Sequence, residues 1–402
     1  MEIAFFTESY LPTRDGVATV VGGLARSLER LGHSVRVYTP QPVGGAATER
    51  SVEDRVPVLR VRSVPVPRYP EYRWSLPLLG RLGKDHFDSE VDVVHLHTPG
   101  MMGTSGFFAA RRFKKPLVGT FHTNVWEMRE SFQQSVWVRL FFRTAWFYNL
   151  GLYWRCNVTT APSESARATL EAHARKPFRR PIEVIPNGIE VERFHPDITL
   201  PDWRTAVGLA RAPLVTFLGR LTQDKGVHRF VDALETLAPG REFVGIIGGS
   251  GPEAGEIAAR LAHSATLRDR VRFVGPVPEQ WKAALLAQSD VFVLPSTSDT
   301  SSIALLEAMA CGAACVVSDV GGPQELVRDG VTGRLFSIND PPALSESIAG
   351  LLDAPENRRR MGRSAGEYVR DERSIDATAR RFISLYELLQ TQGAPGAARI
   401  VG

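Results

Sequence analysis

A repeated alternation of short apolar strands with helical segments constrains the fold of this chain most. The first half is predicted to contain strands over 3–6, 34–38, 91–95 and 117–120, with a helix over 17–31. The second half is predicted to contain strands over 214–218, 243–247, 271–274, 291–294 and 314–318, each followed by a helix or turn. This alternation predicts the α/β class, with two parallel, doubly wound, Rossmann-like sheets.

The length of 402 residues exceeds the size at which one hydrophobic core usually keeps growing, which favours two domains. We expect a first domain over 1–197 and a second over 198–372. The segment 373–402 is expected to hold a helix, over 377–389, that crosses back to the first domain and is followed by a flexible tail. Because ligands of such sheets bind beyond the carboxyl ends of the strands, two strand-end rims should face each other across a deep cleft.

The composition limits the compartment and the partners. The net charge is +4, and an excess this small favours an ordinary solvated surface. Binding of an anionic lipid or a phosphorylated acceptor is the alternative, and no nucleic-acid partner is expected. Cys156, Cys311 and Cys315 show neither a disulfide framework nor a metal-ligand spacing, which favours buried thiols in a reducing cytosol. The N-terminal residues resemble a core strand rather than a leader, and no apolar run is long enough to span a bilayer. We therefore expect a cytoplasmic protein.

Residues 295–322 carry the strongest functional signal. An acid, Asp299, and a hydroxyl-rich turn precede a predicted helix over 303–310, and a second acid, Glu307, lies within that helix. Unpaired backbone N–H groups and the positive end of the helix dipole favour binding of a diphosphate at such a helix start. The two carboxylates, eight positions apart, can accept hydrogen bonds from sugar hydroxyls.

Two cations follow the predicted strand over 214–218. Arg220 and Lys225 lie in a loop that leads into a helix, so both project beyond the strand end. Two fixed cations suit a diphosphate leaving group. A solvated surface pair is the alternative, and the scarcity of lysine in this chain favours the functional interpretation.

Three further segments carry weaker signals. Gly249, Gly251 and Glu253 follow a strand and suit a close approach to a base, a ribose or a phosphate, although plain turn chemistry explains them equally well. His122 follows an apolar strand and can hydrogen-bond a sugar hydroxyl, unless it is a capped core histidine. Gly16 precedes a long helix whose first N–H groups can meet a phosphate, or it belongs to an ordinary helix-initiation turn.

The stretch over 126–154 is rich in aromatic residues with arginines between them. Such a segment can lie on an anionic membrane with its arginines among the headgroups, but an aromatic stripe belongs more often to a core. No Ser-His-Asp, HExxH or CxxC pattern competes for the chemistry.

Six segments in order carry a family resemblance: GGLARSLERLGHSVRVYTP, GTFHTN, VIPNGIEVERF, GRLTQDKG, GGSGPE and LLEAMACG. Together they resemble the retaining glycosyltransferases of GT-B fold (glycosyl transferases group 1) that include relatives of sucrose and glycogen synthases. The segments TESYLPTRDGVATVV and DVVHLHTPGMMG are most similar to the branch that forms glycolipids, such as diacylglycerol glucosyltransferases, sulfoquinovosyltransferases and phosphatidylinositol mannosyltransferases.

The resemblance implies a role for each matched position. Glu307 is similar to the acid that holds the nucleotide ribose, and Arg220 and Lys225 match the pair that neutralises the diphosphate. The implied catalytic set is His122, Arg220, Lys225 and Asp299. The implied donor-binding set is Gly16, Gly249, Gly251, Glu253, Thr300, Ser301, Ser302, Ile303, Ala304 and Glu307. The implied acceptor side holds Tyr10, His97 and Thr98, and no metal or cofactor is required.

The chain departs from the family pattern at two places. Asp299 stands where relatives usually have glutamate, which shortens the reach to the donor sugar. Ser301 and Ser302 replace the usual aromatic residue and glycine, which makes this turn more polar.

The expected function is transfer of a hexose, with retention of configuration, from a UDP- or GDP-sugar to a lipid or cell-envelope acceptor. Peripheral contact with an anionic membrane goes with this interpretation. A soluble acceptor such as a sugar phosphate is an alternative, and a catalytically silent nucleotide-sugar-binding relative is another. The sequence indicates no oligomeric state.

Overall fold

The computed structural model describes residues 1–13, 15–42, 50–53, 55–66, 69–75, 90–122, 136–174, 176–178, 180–198 and 212–391. The chain forms two compact units, one comprising Met1–Asn187 with Ile375–Gly402 and the other Gly188–Ser374. The expected boundary between residues 197 and 198 is followed by residues 199–211, which lie outside the described residues.

The strands of the described residues are β1 (Glu2–Phe6), β2 (Ser34–Pro40), β3 (Arg50–Glu53), β4 (Val56–Val61), β5 (Ser63–Val66), β6 (Tyr69–Ser75), β7 (Val93–Leu96), β8 (Leu117–Thr120), β9 (Val158–Ala161), β10 (Glu183–Val184), β11 (Leu214–Leu218), β12 (Val244–Gly248), β13 (Val271–Gly275), β14 (Val291–Leu294), β15 (Ala314–Ser318) and β16 (Gly333–Phe336). The helices are α1 (Gly16–Arg30), α2 (Met101–Phe113), α3 (Val136–Arg155), α4 (Glu164–His173), α5 (Val227–Leu237), α6 (Ala254–His263), α7 (Glu279–Ala287), α8 (Ile303–Ala310), α9 (Pro341–Asp353), α10 (Pro355–Glu372) and α11 (Ile375–Thr391).

The first unit is built on an eight-stranded sheet in the order β10-β9-β8-β7-β1-β2-β4-β3. Its strands pair in parallel except β3, which runs antiparallel to β4 at the edge. Along β1, Ile3 and Phe5 pack on the face that carries α1 and α11, while Ala4 and Phe6 pack on the face that carries α2. Burial on both faces is why these strands are short, nearly continuous apolar runs.

The C-terminal helix α11 belongs to the first unit. Phe382, Leu385, Tyr386 and Leu389 are buried in the cluster that includes the apolar face of α1. Burial of each such side chain stabilises a fold by about 1.5–3 kcal/mol. The Tyr386 hydroxyl also lies 2.7 Å from Nδ1 of the buried His95, which ties the helix to β7.

The second unit holds a six-stranded parallel sheet in the order β13-β12-β11-β14-β15-β16. Its core lies between this sheet and the apolar faces of α5, α6, α9 and α10, with Phe217, Phe230 and Ile348 among the fully buried side chains. The predicted α/β class with two Rossmann-like sheets is therefore confirmed.

One region differs from the sequence-based expectation. No strand was predicted between residues 38 and 91, where prolines and arginines are frequent, but this region contains β4 in the main sheet and a separate antiparallel pair, β5 and β6. Within the aromatic stretch, residues 136–154 lie in α3, and 126–135 lie outside the described residues. The three cysteines are buried and form no disulfide, as expected.

Candidate functional site

The strand order of the second sheet defines one point where consecutive connections leave in opposite directions. β11 lies between β12 and β14, so the loops after β11 and β14 open beside each other at the carboxyl edge. Ligands of open parallel sheets bind at this switch point. The loop after β11 carries Arg220 and Lys225, and the loop after β14 carries Asp299, so the structure brings these three predicted residues together.

The backbones of these two loops are tied to each other. The Thr297 N–H donates to the Asp224 carbonyl oxygen at 2.8 Å. Gly226 has a φ of +70°, and a Cβ there would lie 2.2 Å from the carbonyl oxygen of Pro295, so only glycine fits between the loops. The position of Lys225, one residue earlier, is fixed by this close approach.

Each cation of the pair has a carboxylate partner. Lys225 Nζ lies 2.7 Å from Asp299 Oδ2, and both side chains are 14% exposed. Asp224 Oδ2 lies 3.8 Å from Lys225 Nζ and 3.6 Å from Arg220, whose side chain is 48% exposed. Asp299, although shorter than the glutamate usual in the family, therefore reaches the lysine. The two cations and the two carboxylates together carry no net formal charge. Excess positive potential for an anion comes from the neighbouring helix start.

The loop after β14 leads into the N-terminus of α8. Ser302 is the N-cap, and its Oγ accepts a hydrogen bond from Leu305 N at 3.3 Å. A serine at this position thus has a structural reason, because it satisfies one of the unpaired N–H groups of the first turn. Ser302 and Ile303 are buried, while Thr300, Ser301 and Ala304 are half-buried. The loop after β15 also supports the site, since Gly322 N donates to the Asp299 carbonyl oxygen at 2.8 Å.

The glycines after β12 serve contacts between loops. A Cβ on Gly249 would lie 1.8 Å from the carbonyl oxygen of Gly219, and one on Gly251 would lie 2.3 Å from that of Leu221. Packing of the β11 and β12 loops therefore explains why glycine stands at both positions, whichever ligand approaches them. Glu253 follows, and its N–H donates to the Leu221 carbonyl oxygen at 3.1 Å.

The Glu253 side chain is a titratable group at the rim of the same site. Its Oε2 is buried, has no hydrogen-bond partner among the described residues, and lies 3.5 Å from Nε2 of His228. Burial raises the pKa of Glu253. The charge of His228 lowers this pKa, whereas the charges of Glu256 and Asp224 raise it further.

Glu307 lies one turn into α8 and is only 2% exposed. Its Oε1 accepts a hydrogen bond from Lys282 Nζ at 2.7 Å, and Lys282 comes from the adjacent helix α7. Burial raises the pKa of Glu307, and the charge of Lys282 opposes that rise. Lys282 was not predicted from the sequence, because a lysine inside a helix carries no local signal of a buried partner.

Three predicted residues of the first unit, His97, Thr98 and His122, follow β7 and β8, beside the switch point between β1 and β7. His97 Nδ1 lies 3.1 Å from His122 Nε2, and the Thr98 Oγ1 accepts a hydrogen bond from Glu8 N at 2.5 Å. Burial lowers the pKa of His122 to about 4, and that of His97 is lowered as well. Both imidazoles are therefore neutral near pH 7.

Two other predicted residues of the first unit have different surroundings. Tyr10 is buried in the core cluster that includes Val21 and Leu24. Gly16 is exposed and is the first residue of α1, where Asp15 acts as N-cap by accepting a hydrogen bond from Ala18 N at 2.7 Å. The helix-initiation turn is thus present at Gly16.

Glu8 lies at the same edge of the sheet, and no role was predicted for it from the sequence. Its Oε1 accepts a hydrogen bond from Met102 N at 2.7 Å in the first turn of α2. Burial raises the pKa of Glu8, and the hydrogen bond from Met102 opposes that rise. The available signal was its place directly after an apolar strand.

No group of three or more His, Cys, Asp or Glu side chains in the described part of the chain is placed to hold a metal ion. Among the same residues, no helix is long and apolar enough to cross a membrane.

The comparisons with known proteins agree with this architecture. The chain matches the families "Glycosyl transferases group 1" over residues 202–368 and "Glycosyltransferase Family 4" over residues 14–193. It is 31% identical, over 92% of both chains, to a GDP-mannose-dependent alpha-mannosyltransferase from Mycolicibacterium smegmatis. It is 25% identical, over 84% of this chain and 75% of the other, to an alpha-monoglucosyldiacylglycerol synthase from Streptococcus pneumoniae.

A solved structure shows the same fold. Anabaena HepE in complex with UDP-glucose superposes with a TM-score of 0.74 and 20% identity, over 97% of this chain and 100% of that one. The two Rossmann-like units therefore have the GT-B fold. The chain belongs to the glycosyl transferases group 1 family.

Proposed function

We propose that this protein transfers a hexose, with retention of anomeric configuration, from a nucleoside diphosphate sugar to a lipid or cell-envelope acceptor. The observation that carries the proposal is the Lys225–Asp299 pair, which lies beside Arg220 and the N-terminus of α8 at the switch point of the second sheet. Fixed cations and a helix start together favour a diphosphate. The GDP-mannose dependence of one relative and the UDP-glucose bound to a structural neighbour support this class of donor.

In the proposed reaction, the bond between the anomeric carbon and the diphosphate oxygen breaks. Lys225, Arg220 and the first-turn N–H groups of α8 stabilise the negative charge that develops on the departing diphosphate. The acceptor hydroxyl attacks the anomeric carbon on the face that the diphosphate leaves, and its proton passes to a diphosphate oxygen. The charge is stabilised by protein groups alone, so no metal is assigned.

Asp299 has two tasks in this scheme. It orients Lys225 through the 2.7 Å contact, and its other oxygen can accept a hydrogen bond from a hydroxyl of the donor sugar. Because aspartate is one methylene shorter than glutamate, we assign it mainly to Lys225.

His122 is proposed to act as a neutral group. A pKa of about 4 leaves the imidazole uncharged at neutral pH, so it serves as a hydrogen-bond partner for a sugar hydroxyl rather than as a cation. Its contact with His97 Nδ1 fixes the ring for that purpose.

An apolar surface on the first unit supports a membrane-associated acceptor. Met101 and Phe108 on α2 and Leu140 and Tyr148 on α3 are 42% to 52% exposed; these four residues are the α2–α3 surface. Thr104 and Tyr148 hydrogen-bond across the two helices, which places both on one surface. Arg111 and Arg112 on α2 and Arg143 on α3 are exposed as well. Apolar groups flanked by arginines suit the boundary of an anionic bilayer, and we propose peripheral binding to the inner face of the cytoplasmic membrane.

A labelled-sugar transfer assay tests the proposal. The purified protein is incubated with GDP-mannose, UDP-glucose or other labelled donors and with vesicles of membrane lipid, and the label is followed into the organic phase. We expect labelled lipid, and an α-anomer by NMR from an α-linked donor. Label that moves only into water-soluble products would favour the soluble acceptor, and a β-anomer would exclude retention. Failure to release nucleoside diphosphate from any donor would favour the catalytically silent relative.

A further inference from the structure

A row of alternating charges leads from the surface of the second unit to Glu307. Arg193 lies 2.9 Å from Glu279 Oε1, and Glu279 Oε2 lies 3.2 Å from Lys282 Nζ. Lys282 Nζ then lies 2.7 Å from Glu307 Oε1. Exposure falls along this row, so its last member is a buried carboxylate whose charge is compensated by one lysine.

Lys282 is held in place from several sides. Its ammonium group lies between the carboxylates of Glu279 and Glu307 and 5.3 Å from the centre of the Phe194 ring. Burial lowers the pKa of Lys282, but attraction to the two carboxylates outweighs this and raises it overall. The lysine therefore remains a cation, and two of the three groups around it, Glu307 and Phe194, are buried.

This arrangement divides the two oxygens of Glu307 between different tasks. Oε1 is committed to Lys282, and a carboxylate retains acceptor capacity at its second oxygen. Glu307 is also just one turn into α8, beside the helix start that we assign to the diphosphate. A ribose attached to that diphosphate presents two vicinal hydroxyls, both of which are hydrogen-bond donors.

We propose that Lys282 is a positioning residue that fixes Glu307 as an ionised acceptor for the ribose hydroxyls of the bound nucleotide. Lys282 itself does not touch the nucleotide. The inference rests on the proposed function, because it assigns the ribose to the site beside α8. It adds a determinant of specificity for ribonucleotides over deoxyribonucleotides.

The chemical consequence of removing Lys282 is specific. Loss of the neighbouring cation raises the pKa of a buried carboxyl and favours its protonated form, and a carboxylic acid donates one hydrogen bond and accepts fewer than a carboxylate does. Hydrogen bonds to charged groups contribute more than those between neutral groups, so losing the 2′-hydroxyl from the ligand should weaken binding to the wild type about tenfold or more. In Lys282→Met this ratio between ribose and 2′-deoxyribose ligands should fall to about one to threefold.

The experiment is calorimetric titration of the full-length protein. Wild type is titrated with UDP, GDP and ADP to find the base, and then with that nucleotide and its 2′-deoxy analogue. The ratio of the two Kd values is compared in wild type, Lys282→Met and Lys282→Gln. The matched control is Glu279→Gln, which changes a partner of Lys282 but leaves the Lys282–Glu307 contact in place, and it should keep the wild-type ratio.

A merely structural role for Lys282 would weaken both ligands equally and leave the ratio unchanged, which would overturn the inference. If the wild type binds the nucleotide and its 2′-deoxy analogue with equal Kd values, the inference is overturned as well. If Lys282→Met does not fold, the test uses Lys282→Gln, which keeps a polar side chain of similar length. A Kd ratio equal to that of the wild type would overturn the inference, and a ratio near one would support it. Failure of the wild type to bind any of the three nucleotides is a different result, since it would contradict the proposed function.

Discussion

Replacing Lys225 with methionine should remove the most buried cation of the candidate diphosphate site while keeping a side chain of similar length. The ammonium group lies 2.7 Å from Asp299 Oδ2 and 3.8 Å from Asp224 Oδ2, at a side-chain exposure of 14%. The variant loses the positive charge that would neutralise the diphosphate, and it leaves the carboxylates of Asp224 and Asp299 without this cation. Both effects disfavour an anionic ligand.

The size of the effect follows from the burial. Two unit charges about 4 Å apart interact by about 4 kcal/mol at an effective dielectric constant of about 20. Truncating one partner of a buried, hydrogen-bonded charge pair costs about 2–5 kcal/mol in binding. Because about 1.4 kcal/mol corresponds to a factor of ten, kcat/KM for the donor should fall by about 30-fold to about 4,000-fold.

Arg220 supplies an internal comparison. Its side chain is 48% exposed and its contact with Asp224 is longer, at 3.6 Å. Solvent screens such a charge, so Arg220→Met should cost about tenfold less than Lys225→Met. The order of the two variants, and not only the loss in one of them, therefore follows from the structure.

The assay is release of nucleoside diphosphate at varied donor concentration, with thermal unfolding as a check that both variants fold. Near-normal kcat/KM in Lys225→Met would show that the diphosphate binds elsewhere. Equal losses in the two variants would show that burial does not determine the contribution of each cation.

Three further predictions concern stability, pH and membrane binding. In a urea titration, Gly249→Ala should lower the free energy of unfolding by about 1–3 kcal/mol, because φ is +143° and the new Cβ would meet a backbone oxygen at 1.8 Å. The control is Gly255→Ala, at a helical position with open space, which should raise the free energy of unfolding by up to about 1 kcal/mol. The pKa of His122 is lowered from 6.5 to about 4, so its contribution to stability is fully present above pH 6.5 and is lost as the pH falls towards 4. In denaturant titrations, His122→Asn should reduce the dependence of stability on pH in that window by up to about 1.4 kcal/mol per pH unit, and an unchanged slope would contradict the assignment. Phe108→Ser should weaken sedimentation with anionic vesicles about threefold or more, because apolar burial in the membrane is lost. Val331 is 47% exposed on the second unit, and the control Val331→Ser should leave sedimentation unchanged. Equal effects of the two substitutions would exclude the α2–α3 surface as the membrane-binding surface.

Much of the fold could be predicted from the sequence because buried parallel strands are short apolar runs between turn residues. The predicted bounds of β8, β11, β14, β15 and α8 agree with the structure. β9 and β16 were missed because buried threonines and an alternating GRLF segment do not form such runs. β4 was missed because prolines and arginines surround it, although its backbone pairs in register with β2.

The composition of the candidate site was easier to predict than its contacts. Strand-end position identified Lys225 and Asp299 as candidates, since polar residues after buried strands gather at one edge of the sheet. Their 2.7 Å ion pair joins residues 74 positions apart, and it depends on β11 and β14 being neighbours. The Lys282–Glu307 pair depends in the same way on how α7 packs beside α8, which no local pattern encodes.

The most direct test of the central claim is hydrogen exchange, followed by mass spectrometry, with and without a saturating nucleoside diphosphate. A ligand at the switch point of the second sheet covers the loops after β11 and β12 and the first turn of α8. We predict slower exchange in peptides covering 219–226, 249–253 and 300–306. Unchanged exchange in all three segments, with binding shown independently by calorimetry, would contradict the assignment of the donor site.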